Sequence, residues 1–178
     1  MNKRDLDLLM QKIQANDEDA FSELYLETYK GVFSFAYSFV HNFQNAEDIM
    51  QDVFIKIRRN IQSYKLNTNP IAWILQITKN LCKDFLKKTS KNCFIDEQEQ
   101  IELTKDTKQT NVIDKLTILN AINSTLDVDA RQIVILHILY GYKNREIAKF
   151  MEMPLGTVLF KYSKAIKQLK NKLEEDGR

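Results

Sequence analysis

The 178-residue sequence is poor in the residues that interrupt regular structure, with only four glycines and two prolines. β-Proteins need such residues at their many turns, so this scarcity argues against a β-rich fold. Hydrophobic residues make up 44% of the chain and charged residues 28%, which is ordinary for a globular protein and too apolar for wholesale disorder. We therefore expect an all-α fold.

Metal-binding and disulfide-forming residues are also scarce. The two cysteines, Cys82 and Cys93, and the two histidines, His41 and His137, are too few and too scattered for a zinc site or a disulfide scaffold. Free thiols suit a reducing cytosol. The longest apolar runs are far shorter than the roughly 20 residues of a membrane span, and acids stand where a signal peptide would be apolar. The sequence predicts a cytoplasmic protein without membrane insertion, metal or other cofactor.

Charge is nearly balanced over the whole chain, with 26 basic and 24 acidic residues and a net charge of +2. The total charge therefore gives no argument for nucleic acid, and any basic patch must be local. The segment 89–112 is polar, with little apolar periodicity, which is typical of a linker. The sequence indicates two helical domains, residues 1–88 and 113–178, joined by that linker.

Apolar spacing and capping residues predict the helices of both domains. In the first domain, helices are predicted at 6–13, from Ala20 after a cap at Asp17 or Asp19, from near Asn45, and over 70–88. In the second domain, helices are predicted at 113–124, 129–139, 144–151 and 155–173.

The predicted helix at 46–59 has an outer face that combines acidic and apolar groups. Its core stripe leaves Asp48, Gln51, Asp52 and Ile55 on the opposite side. Two interpretations stay open: a solvated surface with one stray isoleucine, or a binding surface for a basic protein. Two carboxylates four residues apart also allow a hypothesis of Mg²⁺-dependent enzyme chemistry. That hypothesis lacks a third ligand in register, a glycine-rich phosphate loop and a nucleophile–base pair.

The predicted helix at 70–88 carries a basic, amide-rich stripe opposite its core side. The stripe contains no acid, and its members are Gln76, Lys79, Asn80, Lys83 and Lys87. The preceding loop, 63–69, adds the Tyr64 ring for stacking and the amides of Asn67 and Asn69 for base edges. Solubility would explain a lone stripe, whereas the combination favours a site for nucleic acid.

Residues 144–173 have the layout of a helix-turn-helix, with a turn at 152–154 and a second helix from Leu155. The outer arc of this second helix holds Thr157, Phe160, Lys161 and Lys164. Phe160 lies nearly opposite the core arc. Two interpretations stay open for its ring: contact with a base in the major groove, or packing against the linker or the first domain.

In this order, the segments resemble a bacterial sigma factor of the sigma-70 family, of the extracytoplasmic-function type. The family's core-binding helix in region two is similar to AEDIMQDVFIKI (46–57), and its minus-ten segment to WILQITKNLCKDFLKK (73–88). Region four is similar to GYKNREIAKFMEMPLGTVLFKYSKAIKQL (141–169). Lys143 departs from the family's usual serine cap, which Asn144 can replace. Glu152 stands at the turn position usually given to glycine, where a positive φ would cost energy.

The resemblance implies a transcription initiation factor with no catalytic residue of its own. Core RNA polymerase would be bound through Asp48, Gln51, Asp52 and Ile55. The implied contacts to the melted non-template strand of the minus-ten element are Tyr64, Asn67, Asn69, Gln76, Lys79, Asn80 and Lys83. The implied contacts to the duplex minus-thirty-five element are Thr157, Phe160, Lys161 and Lys164. Such factors are often held inactive by an anti-sigma partner.

Two other functions remain compatible with parts of the pattern. One is a helix-turn-helix regulator that binds duplex DNA without acting as a sigma factor. The other is a sigma-like protein that binds only protein. The first domain argues against the ordinary regulator, because such a regulator needs neither the acidic–apolar face nor the basic helix beside a polar loop.

Overall fold

The computed structural model of the chain describes residues 3–92, 122 and 124–176. Within these residues the chain is helical and contains no strand, which confirms the all-α prediction. A 3₁₀ turn, Ile61–Ser63, follows the third helix. The α-helices are α1 (Lys3–Gln14), α2 (Glu18–Val40), α3 (Phe43–Asn60), α4 (Pro70–Asn92), α5 (Val128–Tyr140), α6 (Asn144–Met151) and α7 (Leu155–Asp176). Most of the predicted linker and of the helix predicted at 113–124 lies outside the described residues.

Short polar side chains set the starts of the long helices. The Asp17 carboxylate accepts a hydrogen bond from the Ala20 N–H at 3.0 Å and begins α2. Asn42 caps α3 in the same way, so that the helix begins at Phe43, two residues before the predicted start near Asn45. Asp127 accepts from the Ala130 N–H at 2.8 Å and begins α5. Each cap satisfies a backbone donor that the helix itself leaves unpaired.

The first four helices form a bundle in which α2 contacts the other three. Its packing is dense and apolar, because the residues at helical spacing on α2 and α3 all face inward. The fully buried side chains include Leu24, Val32, Phe35, Val53, Ile57, Ile74 and Leu75. This bundle fixes the orientation of α3 and α4, the two helices that carry the predicted binding faces.

Helices α6 and α7 form the predicted helix-turn-helix, with Ile147 and Val158 fully buried between the helices. Glu152 ends α6 at φ 58°, so the positive φ expected at this turn is present in a residue with a Cβ. The prediction that Asn144 replaces the helix cap is wrong. Lys143 occupies the cap position and Asn144 is the first helical residue, because the Glu146 carboxylate accepts the Lys143 N–H at 2.8 Å.

The two halves of the chain pack directly on each other. One continuous core joins the first bundle to α5, α6 and the start of α7, with α5 lying against α2. Ile133, Ile135 and Leu136 on α5 are buried in it. A smaller cluster beneath α7 contains Ala130, Val134 and Ala165. The sequence indicates two domains on a tether, and their helical patterns do not predict this contact between them.

Candidate nucleic-acid and protein interfaces

The outer face of α3 is built as the sequence predicts. Asp48, Gln51, Asp52 and Ile55 are all exposed, and the Ile55 side chain keeps 49% of its surface accessible. The Asp48 carboxylate accepts a weak hydrogen bond from the Gln44 amide at 3.4 Å. Four contiguous groups thus present two negative charges, one amide and one apolar side chain to solvent. That combination suits a basic and partly apolar protein surface.

The same two carboxylates do not form part of a larger ligand set. Over the described ranges, no group of three or more His, Cys, Asp or Glu side chains is close enough together to hold a metal ion. Two carboxylates one helical turn apart supply fewer ligands than Mg²⁺ or Ca²⁺ takes in proteins. The structure therefore adds no support to the Mg²⁺ hypothesis.

The loop before α4 is organised by a residue from the first helix. The Asp7 carboxylate accepts hydrogen bonds from the Tyr64 hydroxyl at 2.5 Å and from the Asn67 N–H at 2.9 Å. The Tyr64 ring is 3% exposed and packs edge-on against Trp73. Burial, followed by the bond to Asp7, raises the pKa of Tyr64 to about 12. In this conformation the ring offers no face for base stacking, in contrast to its implied role.

The side-chain amides of this loop and of α4 differ in exposure and in hydrogen bonding. Asn69 caps α4 by accepting the Ala72 N–H at 3.2 Å, and Asn67 is exposed at φ 62°. Gln76 and Asn80 are exposed one turn apart on α4, with the Gln76 amide donating to the Asn80 carbonyl oxygen at 3.1 Å. Lys83 is exposed on the next turn and continues the stripe. These groups form a polar surface along α4, as the sequence predicts.

Lys79 is the exception on this stripe. It is 5% exposed, because α6 covers its part of α4. Its ammonium group donates to the Phe150 carbonyl at 3.0 Å and lies 3.5 Å from the Glu152 carboxylate. The expectation of an outward-facing Lys79 is therefore wrong for this conformation, since a helical projection of α4 alone contains no information about α6.

On α7, Thr157, Phe160 and Lys164 are exposed, and Phe160 keeps 68% of its surface accessible. The ring therefore does not pack on the first domain. Lys161 is half-buried and forms ion pairs with Asp129 at 3.0 Å and with Asp127 at 3.4 Å, at the start of α5. Partial burial alone would lower the pKa of Lys161. The Asp129 and Asp127 carboxylates outweigh that effect, so the pKa is raised above its ordinary value. Lys161 is thus directed toward α5 while its neighbours face solvent.

Family comparisons agree with this arrangement. The family model of Sigma-70 region 2 matches residues 24–92, and that of Sigma-70 region 4 matches residues 117–169. The chain belongs to the sigma-70 family of RNA polymerase sigma factors. Within it, the chain is a sigma factor of the extracytoplasmic-function type, which directs RNA polymerase to promoters and is not an enzyme. The region-two match excludes the interpretation as an ordinary helix-turn-helix regulator.

Individual relatives span almost the whole chain. The ECF RNA polymerase sigma factor SigW of Bacillus subtilis is 24% identical, over 93% of this chain and 95% of its own length. The ECF RNA polymerase sigma-E factor of Escherichia coli K12 is 25% identical, over 94% of this chain and 93% of its own. Both alignments therefore extend across the region-two and the region-four segments of this chain.

Solved structures show the same fold. The sigma factor RpoE from Bartonella quintana, in complex with the anti-sigma factor NepR, matches with a TM-score of 0.71 at 24% identity, covering 86% of this chain and 96% of that one. CnrH, in complex with the cytosolic domain of CnrY, matches with a TM-score of 0.66 at 17% identity, covering 97% of this chain and 99% of that one. In the described part of this chain, no helix has the length and apolar character needed to cross a bilayer.

Proposed function

We propose that the outer face of α3 is the surface that binds core RNA polymerase. The observation that supports this assignment is the exposure of Ile55 beside the carboxylates of Asp48 and Asp52, with Gln51 between them. An apolar side chain flanked by charges is typical of a protein interface, where burial of the apolar group supplies affinity and the charges select the partner.

The minus-ten element is held, in this proposal, by the loop 64–69 and the exposed stripe of α4. Asn67, Gln76, Asn80 and Lys83 are already accessible. Three further groups are engaged within the chain and must leave their present partners to reach DNA; these are Tyr64, Asn69 and Lys79. Amides and lysines of this kind bind unpaired bases and their phosphates.

The minus-thirty-five element is read, in this proposal, by the exposed start of α7. Recognition helices of the helix-turn-helix enter the major groove by their N-terminal residues. Thr157 and Phe160 lie in the first two turns, where a ring contacts a thymine methyl group. Lys161, next to Phe160, and Lys164, about one turn further along, reach phosphates or a guanine edge, Lys161 after release from Asp127 and Asp129.

Regulation by a second protein and a cytoplasmic location complete the proposal. Of the two solved structures described above, one contains the anti-sigma factor NepR and the other contains the cytosolic domain of CnrY. Their similarity in fold supports an anti-sigma partner for this chain. Core polymerase and chromosomal promoters are cytoplasmic in bacteria, which supports that location for the factor that joins them.

The test is reconstitution of the full chain with core polymerase, followed by co-elution and promoter-specific run-off transcription. Asp52→Lys is expected to weaken co-elution, while Glu23→Lys serves as a control that makes the same change of charge on an exposed position of α2. Equal polymerase affinity of the two variants would contradict the α3 assignment. Co-elution without run-off product would favour the sigma-like protein that binds only protein.

A further inference from the structure

The last residue of α1 is hydrogen-bonded to the chain where α3 passes into the loop 64–69, the proposed minus-ten loop. The Gln14 side-chain amide donates to the Ile61 carbonyl and to the Tyr64 carbonyl, both at 2.9 Å. In return, the Gln62 side-chain amide donates to the Gln14 carbonyl at 2.8 Å. That carbonyl lies at the C-terminal end of α1, where the helix itself supplies no partner. The two segments are therefore tied together in both directions.

The chemistry of this tie requires two donors on one atom. A side-chain amide carries two N–H groups on a single nitrogen, so Gln14 fixes the separation of two carbonyl groups that are three residues apart. Between them lies the 3₁₀ turn Ile61–Ser63, which ends where the Tyr64 backbone becomes extended at φ −70° and ψ 129°. Glutamate has the same shape as glutamine, but its ionised carboxylate only accepts hydrogen bonds. At this position it would face two carbonyl oxygens without a donor.

The turn held by Gln14 directs the Tyr64 side chain. The Tyr64 ring is buried against Trp73, with the two ring centroids 5.4 Å apart, and its hydroxyl donates to Asp7. The Gln14 bonds are made to backbone carbonyls, so they occupy none of the loop side chains that the proposal assigns to DNA. Gln14 thus holds the backbone at the root of the loop, whereas Asp7 holds the Tyr64 side chain.

We infer that Gln14 is a positioning residue for the minus-ten loop: it contacts no DNA and sets, through the Ile61 and Tyr64 backbone, where the loop side chains lie. Its effect on promoter choice rests on the proposed minus-ten role of the loop, whereas its effect on the loop itself does not. A loop that is fixed at its root has less conformational freedom to lose on binding, which favours capture of the strand in one orientation. Removal of the two donors should therefore broaden the base preference in the minus-ten element.

The first measurement uses the free full-length protein. Trp73 is the single tryptophan of the chain, so its emission reports on the Tyr64 ring packed against it. Gln14→Glu is expected to shift this emission to the red and to increase its quenching by acrylamide. Hydrogen exchange of the Tyr64 N–H, which donates to the Ile61 carbonyl, should become about tenfold faster. Gln11→Glu is the matched control, because it makes the same change at an exposed position about one turn earlier in α1.

The second measurement is run-off transcription by reconstituted holoenzyme from a library randomised in both promoter elements. In Gln14→Glu, the preference at one base pair of the minus-ten element should fall by about three- to tenfold, the range that corresponds to one typical hydrogen bond. The minus-thirty-five preference is the internal control and should not change. A variant that was merely less stable would lose yield from all promoters alike, without an effect confined to one element.

Unchanged Trp73 emission and unchanged exchange in Gln14→Glu, at a melting temperature close to that of the wild type, would disprove the inference. An altered loop with an unaltered minus-ten preference would confirm that Gln14 positions the loop and would overturn the minus-ten role of the loop, so the two failures are distinguishable. If Gln14→Glu does not fold, Gln14→Ala removes the donors without adding a charge, and the same two measurements then decide the result.

Discussion

Replacement of Phe160 by alanine separates a DNA-reading ring from a packing ring. Because Phe160 is 68% exposed, its loss should leave the folded protein almost unchanged. Alanine also has the higher helix propensity, by roughly 0.5 kcal/mol, so a small gain in stability is expected. Truncation of Val158, a fully buried residue of the same helix, would instead lower the stability, because it would leave a cavity in the core.

The expected loss of promoter discrimination follows from the area of the ring. An aromatic side chain carries roughly 150–250 Å², so the exposed part of Phe160 amounts to on the order of 100–170 Å². At about 25 cal/mol per Å², complete burial against DNA would contribute at most about 4 kcal/mol. Contact with one thymine methyl group covers about half of the ring, which gives about 1–2 kcal/mol, or roughly a tenfold preference at one base pair.

The assay is run-off transcription from a promoter library randomised in the minus-thirty-five element, with holoenzyme reconstituted from each variant. Phe160→Ala is expected to lose its preference at one base pair while keeping its melting temperature. Ile166→Ala, which removes another exposed apolar side chain six residues further along α7, should keep the preference. An unchanged sequence preference in Phe160→Ala, together with a lower melting temperature, would refute the reasoning and assign the ring to packing.

Three further predictions concern binding, strain and pH. The free chain should bind duplex DNA weakly, with affinity that falls steeply between about 50 and 200 mM salt in fluorescence anisotropy; tight, specific binding at the higher salt would contradict this. Glu152→Gly relieves a positive φ and should raise stability by about 1 kcal/mol, or about 2–4 °C in melting temperature; a lower melting temperature would show that the ion pair from the exposed Glu152 carboxylate to the buried Lys79 outweighs the strain. The hydrogen bond from the Ala130 N–H, and next the charge of Lys161, hold the pKa of Asp127 below its ordinary 3.8, although partial burial acts the other way. Its ionised form therefore stabilises the fold above that pH and stops doing so as the pH falls through the lowered pKa. The Asp127→Asn variant keeps a capping oxygen but has no carboxylate to protonate. Its melting temperature should consequently fall less than that of the wild type when the pH is lowered below about 4.

Local pattern is sufficient for the α-helices in the described part of the chain and for the exposure of one of the two proposed binding faces in region two. The bounds of α6, 144–151, and the exposure of Ile55 follow from helical periodicity and capping, which depend on residues within a few turns. Lys79 and Tyr64 were misplaced for a physical reason: their partners are 71 and 57 residues away in sequence. Such contacts arise only when elements distant in sequence pack together, within the first bundle for Tyr64 and between the two halves for Lys79, and no helical projection contains them.

One signal in the sequence is consistent with the packing of the two halves on each other. Gly31 interrupts the apolar pattern of α2 in the middle of a 23-residue helix, where glycine weakens the helix. A glycine at such a position indicates that another part of the chain approaches closely. The sequence does not say which part, because the Tyr140 ring that fills the space is 109 positions further along.

The bond from Tyr64 to Asp7 ties the first helix to the loop that we propose holds the minus-ten strand. Asp7 lies outside the residues 24–92 that the region-two family model matches, yet its carboxylate holds two groups of the loop before α4. Opening of that loop toward a base would break both bonds to Asp7, so in our proposal Asp7 and the DNA strand compete for Tyr64 while Leu6, Leu9 and Met10 still hold α1 in the core. Asp7→Ala would consequently free the loop and alter strand capture without changing any of the residues that we propose contact DNA.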